Sequence, residues 1–278
     1  MFKIALGAGH GLTTPGKRCM KKLDPKETSE WWLNDRICDY VETYLKAYSG
    51  YQLLRLDDSD DGRDDIALAT RVSKANNWGA DFYLSVHHNA GVNGGKGGGI
   101  CSFCHPKGSA SSFKWRDAMY DALIEYTGLV GNRAQPKTTG NFYVLRCTNM
   151  PACLLELGFM DSATDVPIIL TDTFAQNCAK AITEVLVERG GLTKKKTAAT
   201  KTETTKKEPT KTDGSFMVRV TRDDLNIRKG PGYKTYESVG KCPVGAYTIT
   251  ETKEAEGFTW GRLKSKKGWI ALEYTERI

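Results

Sequence analysis

The chain has 278 residues, of which 40 are Lys or Arg, 33 are Asp or Glu and 40% are apolar, for a net charge of +7. That length suits one large domain or two smaller ones, and the apolar share is enough for a packed core, which excludes a disordered or collagen-like chain. No stretch approaches the ~20 consecutive apolar residues of a membrane helix. The opening segment is too short and glycine-rich for a secretory h-region, so the expectation is a chain made in a cytoplasm, with no export signal and no membrane partner.

The predicted elements alternate. Phe2–Leu6 reads as a strand that runs into Gly9-His10-Gly11. Ser29 is a candidate N-cap for a helix from Glu30 to about Tyr48, with Ile37, Val41, Tyr44 and Leu45 at helical spacing. Tyr51–Leu56 follows as a strand, 63–78 as a helix, Phe82–Val86 as a buried strand and 97–103 as a further strand. A helix over 111–126, strands at Phe142–Leu145 and Cys153–Leu157, and a closing helix over 173–188 complete the series. The expected fold class is α/β, a mostly parallel sheet flanked by helices. Sites in such sheets form at the carboxyl ends of strands.

Residues 193–213 hold 8 Thr and 7 Lys with nothing to bury, and read as a solvated linker. It separates a domain over 1–192 from one over 214–278. The first carries 21 basic and 22 acidic residues, so the positive excess belongs to the linker and the second domain. In the second domain, short strands at Phe216–Val220, Leu225–Arg228, Tyr247–Glu251, 259–264 and 268–271 predict a small all-β barrel, with turns at Gly230-Pro231-Gly232 and Gly245. A basic tail attracts polyanions. Lys/Thr low complexity without interleaved aromatics is weak support for nucleic acid, which is not the expected partner.

Eight cysteines in a chain of this length, several in apolar runs, are expected to be free and buried. Cys101-Ser102-Phe103-Cys104-His105 has the spacing of a haem attachment site, a reading rejected because a single short pattern has no distal ligand beside it. A thiol pair there is less favoured than chance placement.

Three of the four histidines lie at or near predicted strand ends: His10, His87 and His88. Glu30 opens the first long helix. Two histidines and a glutamate from separate elements, with water in the fourth position, are a zinc-binding set. The chemistry of the side chains leaves the choice within the His87-His88 doublet open, although strand alternation lets only one face a site. Glu27 competes with Glu30. Glu156 ends an apolar strand, where a carboxylate needs a partner; beside a metal-bound water it could take and return a proton.

Residues 1–189 resemble the zinc-dependent N-acetylmuramoyl-L-alanine amidases, of the type shared by wall-remodelling enzymes and phage endolysins. The resemblance rests on Gly9-His10-Gly11, on Glu30-Trp31-Trp32-Leu33-Asn34, on Arg71-Val72-Ser73-Lys74-Ala75-Asn76, on Ser85-Val86-His87-His88-Asn89-Ala90 and on Pro151-Ala152-Cys153-Leu154-Leu155-Glu156-Leu157-Gly158-Phe159. It implies zinc held by His10, Glu30 and His87, with His88 as a neighbour, and Glu156 as the catalytic glutamate. Asp161-Ser162 departs from the Ser-Asn pair frequent in the family and is expected to alter a loop.

The second domain resembles bacterial Src-homology-like wall-binding modules through Leu225-Asn226-Ile227-Arg228-Lys229-Gly230-Pro231-Gly232 and Gly268-Trp269-Ile270. Tyr233, Tyr236, Trp260 and Trp269 are candidates for its groove, with core packing an equal reading for Trp269. The resemblance implies a peptidoglycan hydrolase that cuts between N-acetylmuramic acid and L-alanine. It would be a phage endolysin held in the host cytoplasm until lysis and then acting on the wall. The alternatives are a zinc peptidase cutting within the stem or cross-bridge, and a non-catalytic wall-binding protein. The sequence sets no oligomeric state.

Overall fold

The computed structural model describes residues 1–59, 62–195, 215–220, 225–243 and 245–277. The chain divides into two compact units, Met1–Ala199 and Thr200–Ile278. Most of the predicted linker lies outside the described residues.

The first unit contains, in chain order, β1 (Phe2–Ala8), α1 (Glu30–Leu45), β2 (Tyr48–Ser49), β3 (Tyr51–Arg55), α2 (Leu68–Trp78), β4 (Phe82–Asn89), β5 (Ile100–Cys104), α3 (Ala110–Thr127), β6 (Lys137–Thr139), α4 (Tyr143–Arg146), β7 (Ala152–Phe159), α5 (Val166–Ile169), α6 (Asp172–Gly190) and β8 (Thr193–Lys194). Six strands form one sheet in the order β3-β1-β4-β7-β5-β6. β3, β1, β4 and β7 run parallel, β5 is antiparallel to β7, and β6 is parallel to β5. The sheet is therefore mixed, with a parallel centre.

The caps explain where the helices begin. Ser29, Ser109 and Thr171 each accept a hydrogen bond from a first-turn amide, those of Trp32, Ser112 and Phe174. This satisfies donors that the helix itself leaves unpaired. Helices α1, α3 and α6 pack together on one face of the sheet, where Phe82 stacks on Trp115 with centroids 3.9 Å apart. On the other face α2 and α4 bury Val72, Ala75, Val144 and Leu145 against Ala5, Tyr83 and Leu154.

Three expectations are corrected. Phe142–Leu145 is not a strand: Phe142 caps the short helix α4. Val144 and Leu145, adjacent in sequence, are both buried, whereas a half-buried strand would turn one of them outward. Periodicity cannot separate strand from helix over so short an apolar run. The edge position belongs to the polar β6. Thr193–Lys194, assigned above to the linker, pair with Tyr48–Ser49 and close the first unit. Helix α2 starts at Leu68, after an acidic segment with no apolar face to bury.

In the second unit the strands are β9 (Phe216–Val220), β10 (Asn226–Arg228), β11 (Ser238–Lys241), β12 (Gly245–Ala255), β13 (Phe258–Leu263), β14 (Trp269–Ala271) and β15 (Glu276–Arg277). They form one antiparallel sheet in the order β11-β10-β14-β13-β12-β9-β15. The all-β expectation thus holds as an antiparallel sheet unit. Val218, Val220, Ile227, Ile249, Leu263 and Ile270 form its main core. Trp260 and Trp269 are 3% and 7% exposed and pack with Phe258 and Ala271, so the two tryptophans offered for a groove are core residues. Glu256, at φ 53°, folds its carboxylate onto the turn between β10 and β11 and accepts the amides of Tyr233, Lys234 and Thr235 at 2.6, 2.7 and 3.1 Å.

Candidate active site

His10 follows the carboxyl end of β1 in a left-handed conformation, φ 65°. Such a backbone in a non-glycine residue persists only where its surroundings over-determine it. Arg71, 3% exposed, donates to Ala8 O at 2.5 Å and to His10 O at 2.9 Å. Asp57 Oδ1 accepts the Ala8 amide at 3.0 Å, and Asn34 Nδ2 donates to Gly9 O at 3.3 Å. Gly9 must be glycine, since a Cβ there would lie 2.1 Å from His87 Cε1. The tight packing around Gly9 brings the imidazoles of His10 and His87 edge to face, with centroids 5.1 Å apart.

Glu30 stands between them at the start of α1, 1% exposed. Its Oε1 is 3.0 Å from His87 Nδ1 and accepts the His88 amide at 3.2 Å. Its Oε2 is 3.4 Å from His10 Nε2 and 3.8 Å from Lys17 Nζ, with no hydrogen bond. The donor atoms of His10, Glu30 and His87 all lie within 4.8 Å of one another. Two nitrogens and a carboxylate oxygen are a donor set suited to zinc. A buried carboxylate oxygen left without a hydrogen-bond donor is where a cation satisfies it. The residues present therefore fit the metal.

Glu156 lies beside His87 in register between β4 and β7, so both side chains emerge on one face. Residue 156 is partly exposed to the cavity, but its Oε2 is sealed and has no partner. Burial pushes its carboxyl up to about 7, with the charge of His87 opposing and that of Glu30 assisting. Burial also pushes Glu30 upward, but the His87 hydrogen bond and the charges of His87, His10 and Lys17 overcome it, leaving the group at about 2. Burial lowers His10 to about 4 against the pull of Glu30. For His87, burial lowers the pKa and is the largest single effect, but the bond to Glu30 and the charges of Glu30 and Glu156 together exceed it, and the net shift is upward. One carboxylate is thus held ionised while its neighbour sits near neutrality, the separation of roles that acid–base chemistry uses. The four side chains line a cavity of about 270 Å³ together with Lys17 and Met160.

His88 turns away from this cluster into the protein. It is 3% exposed, and its Nδ1 lies 2.7 Å from Asn34 Oδ1. Glu27 is also apart, paired with Lys21 at 3.4 Å. Lys17 and Ser85, whose Oγ is 3.1 Å from His87 Nε2, belong to the site and were not singled out from sequence. Ser85 stands two residues before His87, on the same face of β4, and that spacing could have pointed to it. Lys17 comes from irregular chain and carried no such signal. Asp161, at the departure from the family pattern, accepts the amides of Gly91, Val92 and Asn93 at 2.9, 2.9 and 2.7 Å and so shapes the loop after β4. All eight cysteines are free. Cys101 and Cys104 stand three residues apart on β5, about 10 Å at ~3.3 Å per residue, too far for a disulfide.

The fold and site together define an α/β protein with a two-histidine, one-carboxylate donor set and a second carboxylate poised beside it. Residues 4–188 match the N-acetylmuramoyl-L-alanine amidase family, and the chain belongs to it. It is 34% identical over 181 residues to the sporulation-specific N-acetylmuramoyl-L-alanine amidase of Bacillus subtilis, a match that spans 65% of this chain and 65% of that protein. It is 28% identical over 203 residues to the endolysin of Bacillus phage SPP1, covering 71% of this chain and 72% of that one. Among solved structures, the catalytic domain of CwlV from Bacillus (Paenibacillus) polymyxa var. colistinus shares the fold with a TM-score of 0.60 at 24% identity, covering 69% of this chain and 99% of that domain.

Proposed function

We propose that the protein is a zinc-dependent N-acetylmuramoyl-L-alanine amidase that acts on peptidoglycan. The observation that carries this reading is the convergence of His10, Glu30 and His87 on one point, with Glu156 beside it in register. His10, Glu30 and His87 would hold the metal. Bound there, zinc supplies Lewis acidity, lowering the pKa of water towards ~7 and polarising a carbonyl. Glu156 takes the proton that water loses as its oxygen bonds to the lactyl carbonyl carbon. It then delivers that proton to the alanine nitrogen as the C–N bond breaks. Water is consumed, and the products are a free lactyl carboxylate and a free amino terminus. Ser85, 3.1 Å from His87 Nε2, orients the His87 ring.

The second unit is read as a Src-homology-like wall-binding module, and the whole as a phage endolysin. The likeness to the SPP1 endolysin supports the latter. Tethering would raise the local concentration of the catalytic unit at the wall. Digestion of purified wall with and without chelator, followed by mass spectrometry, tests the reading. New amino-terminal alanine on intact stem peptides, lost with chelator, is expected. New termini inside the stem or cross-bridge would make the protein a peptidase, and no new termini would make it a binding protein.

A further inference from the structure

Residues 17 and 18 separate two cavities. Arg18 pairs with Ser29 in an isolated antiparallel bridge. On either side of the bridge, the Glu30 amide donates to Lys17 O at 2.9 Å and the Cys19 amide to Thr28 O at 2.8 Å. Successive side chains on extended backbone point opposite ways. Lys17 accordingly lines the cavity of the catalytic cluster, and Arg18 lines a second one on the far side of the bridge. The main chain thus ties Lys17 directly to Glu30.

Among the described residues, Lys17 is the one Lys or Arg that lines the catalytic cavity. Arg71, behind His10, is occupied by the carbonyls of Ile66, Ala8 and His10. Lys17 Nζ stands 3.8 Å from Glu30 Oε2, which accepts no hydrogen bond. The Lys17 side chain is 44% exposed, so its three N–H groups can turn on a flexible stem towards a ligand. With Glu30 committed to a metal, Lys17 faces the cavity as a cation in need of an anion.

Amide hydrolysis makes an anion at that place. As the water oxygen bonds to the carbonyl carbon, the C=O electron pair moves onto the carbonyl oxygen. When the C–N bond breaks the pair returns, and that oxygen becomes one of the two in the lactyl carboxylate. The proton held by Glu156 goes to the nitrogen, so a side-chain donor to this oxygen must come from elsewhere in the cavity lining. A donor aimed at developing charge in a partly closed site stabilises the transition state more than the neutral substrate.

We propose that Lys17 is a further catalytic residue: its ammonium donates to the oxygen of the scissile carbonyl as negative charge builds there, and then holds the lactyl carboxylate of the product. The proposal rests on the amidase reading for the identity of that carbonyl.

Kinetics on a muramyl tripeptide and calorimetry on the product test it. K17M should retain its zinc and lose about 10²–10³-fold in kcat, the scale of one lost oxyanion donor, with a smaller change in KM. K17R should keep part of the rate. R18M removes the same charge on the other side of the bridge and should leave kcat unchanged. In titration of the full zinc-loaded chain, K17M should bind N-acetylmuramic acid roughly tenfold more weakly, the scale of one charge-assisted hydrogen bond. Binding of N-acetylglucosamine, which lacks the lactyl carboxylate, should not change. An unchanged kcat in folded, zinc-loaded K17M would overturn the proposal. So would loss of zinc from K17M, which would make Lys17 a support of the ligand set, or an equal fall in R18M, which would make the effect one of net charge. Alanine released from wall at the same rate by K17M and the unaltered chain removes the role of Lys17 alone. Lys17-dependent binding of N-acetylmuramic acid with no alanine released by the unaltered chain removes the amidase reading and keeps the carboxylate contact.

Discussion

His88 Nδ1 lies 2.7 Å from Asn34 Oδ1, one turn along α1 from Glu30, so the two histidines of the doublet are tied to the same helix through different residues. His87 meets Glu30 on the open side and His88 meets Asn34 on the buried side. Burial lowers the His88 imidazole to about 3, and it is therefore neutral at working pH. His87→Ala is expected to abolish zinc binding and hydrolysis together. His88→Ala should retain one equivalent of zinc but lose about 1–3 kcal/mol of stability, because Asn34 is left buried with an unmet acceptor. Zinc content by mass spectrometry and thermal melting separate the two. A zinc-free His88→Ala with a zinc-loaded His87→Ala would reverse the assignment.

Glu156→Gln should keep the metal and lower kcat by about 10²–10⁴-fold, the range lost with a general acid–base group. It also has a signature in the metal-free protein. The folded-state pKa is raised to about 7, so the group favours folding most below its unfolded value near ~4.3, and that contribution fades as pH rises through 7. Under chelator, the Gln variant should gain melting temperature relative to the unaltered chain between pH 4 and pH 8. A constant difference across that range would show that the carboxylate is not desolvated.

Arg71 acts on His10 from behind, through the carbonyls of Ala8 and His10 and a third bond to Ile66 O at 2.7 Å. Arg71→Met leaves those carbonyls unpaired and releases the left-handed backbone at His10. Zinc affinity should fall about 10–100-fold, the scale seen when groups supporting a metal ligand are removed. Competition with a metal-sensitive dye measures it, and unchanged affinity would mean the loop holds itself.

In the second unit, the Glu256 carboxylate gathers three amides of one turn, and those bonds hold its pKa down at about 2 against a smaller effect of burial. Its contribution to folding is present above the unfolded value near ~4.3 and is lost as pH falls through 2. Glu256→Gln should speed hydrogen exchange at Tyr233, Lys234 and Thr235 at pH 7 and leave the amides of β1 and β4 unchanged. Unaltered exchange at those three positions would show that the turn is held by other contacts.

Much of this protein could be read along the chain because its signals are local. Ser29 before Glu30, apolar runs at Phe2–Leu6 and Phe82–Val86, and glycines around His10 each act over a few residues. A period of two or of 3.6 therefore marks the element without reference to the rest. The residue types of the candidate site were legible for the same reason: few side chains can hold zinc, and they stand at strand ends or, for Glu30, at a helix start. What required the tertiary structure were relations between distant segments. The register of β4 against β7 sets Glu156 beside His87, and the packing of α1 takes His88 inward to Asn34. The bridge of Arg18 to Ser29 divides Lys17 from Arg18 between two cavities. The burial of Val144 beside Leu145, and of Trp260 beside Trp269, was likewise decided by neighbours brought from elsewhere. A side chain's neighbours across a sheet or under a helix depend on how the whole chain closes, which local periodicity does not encode.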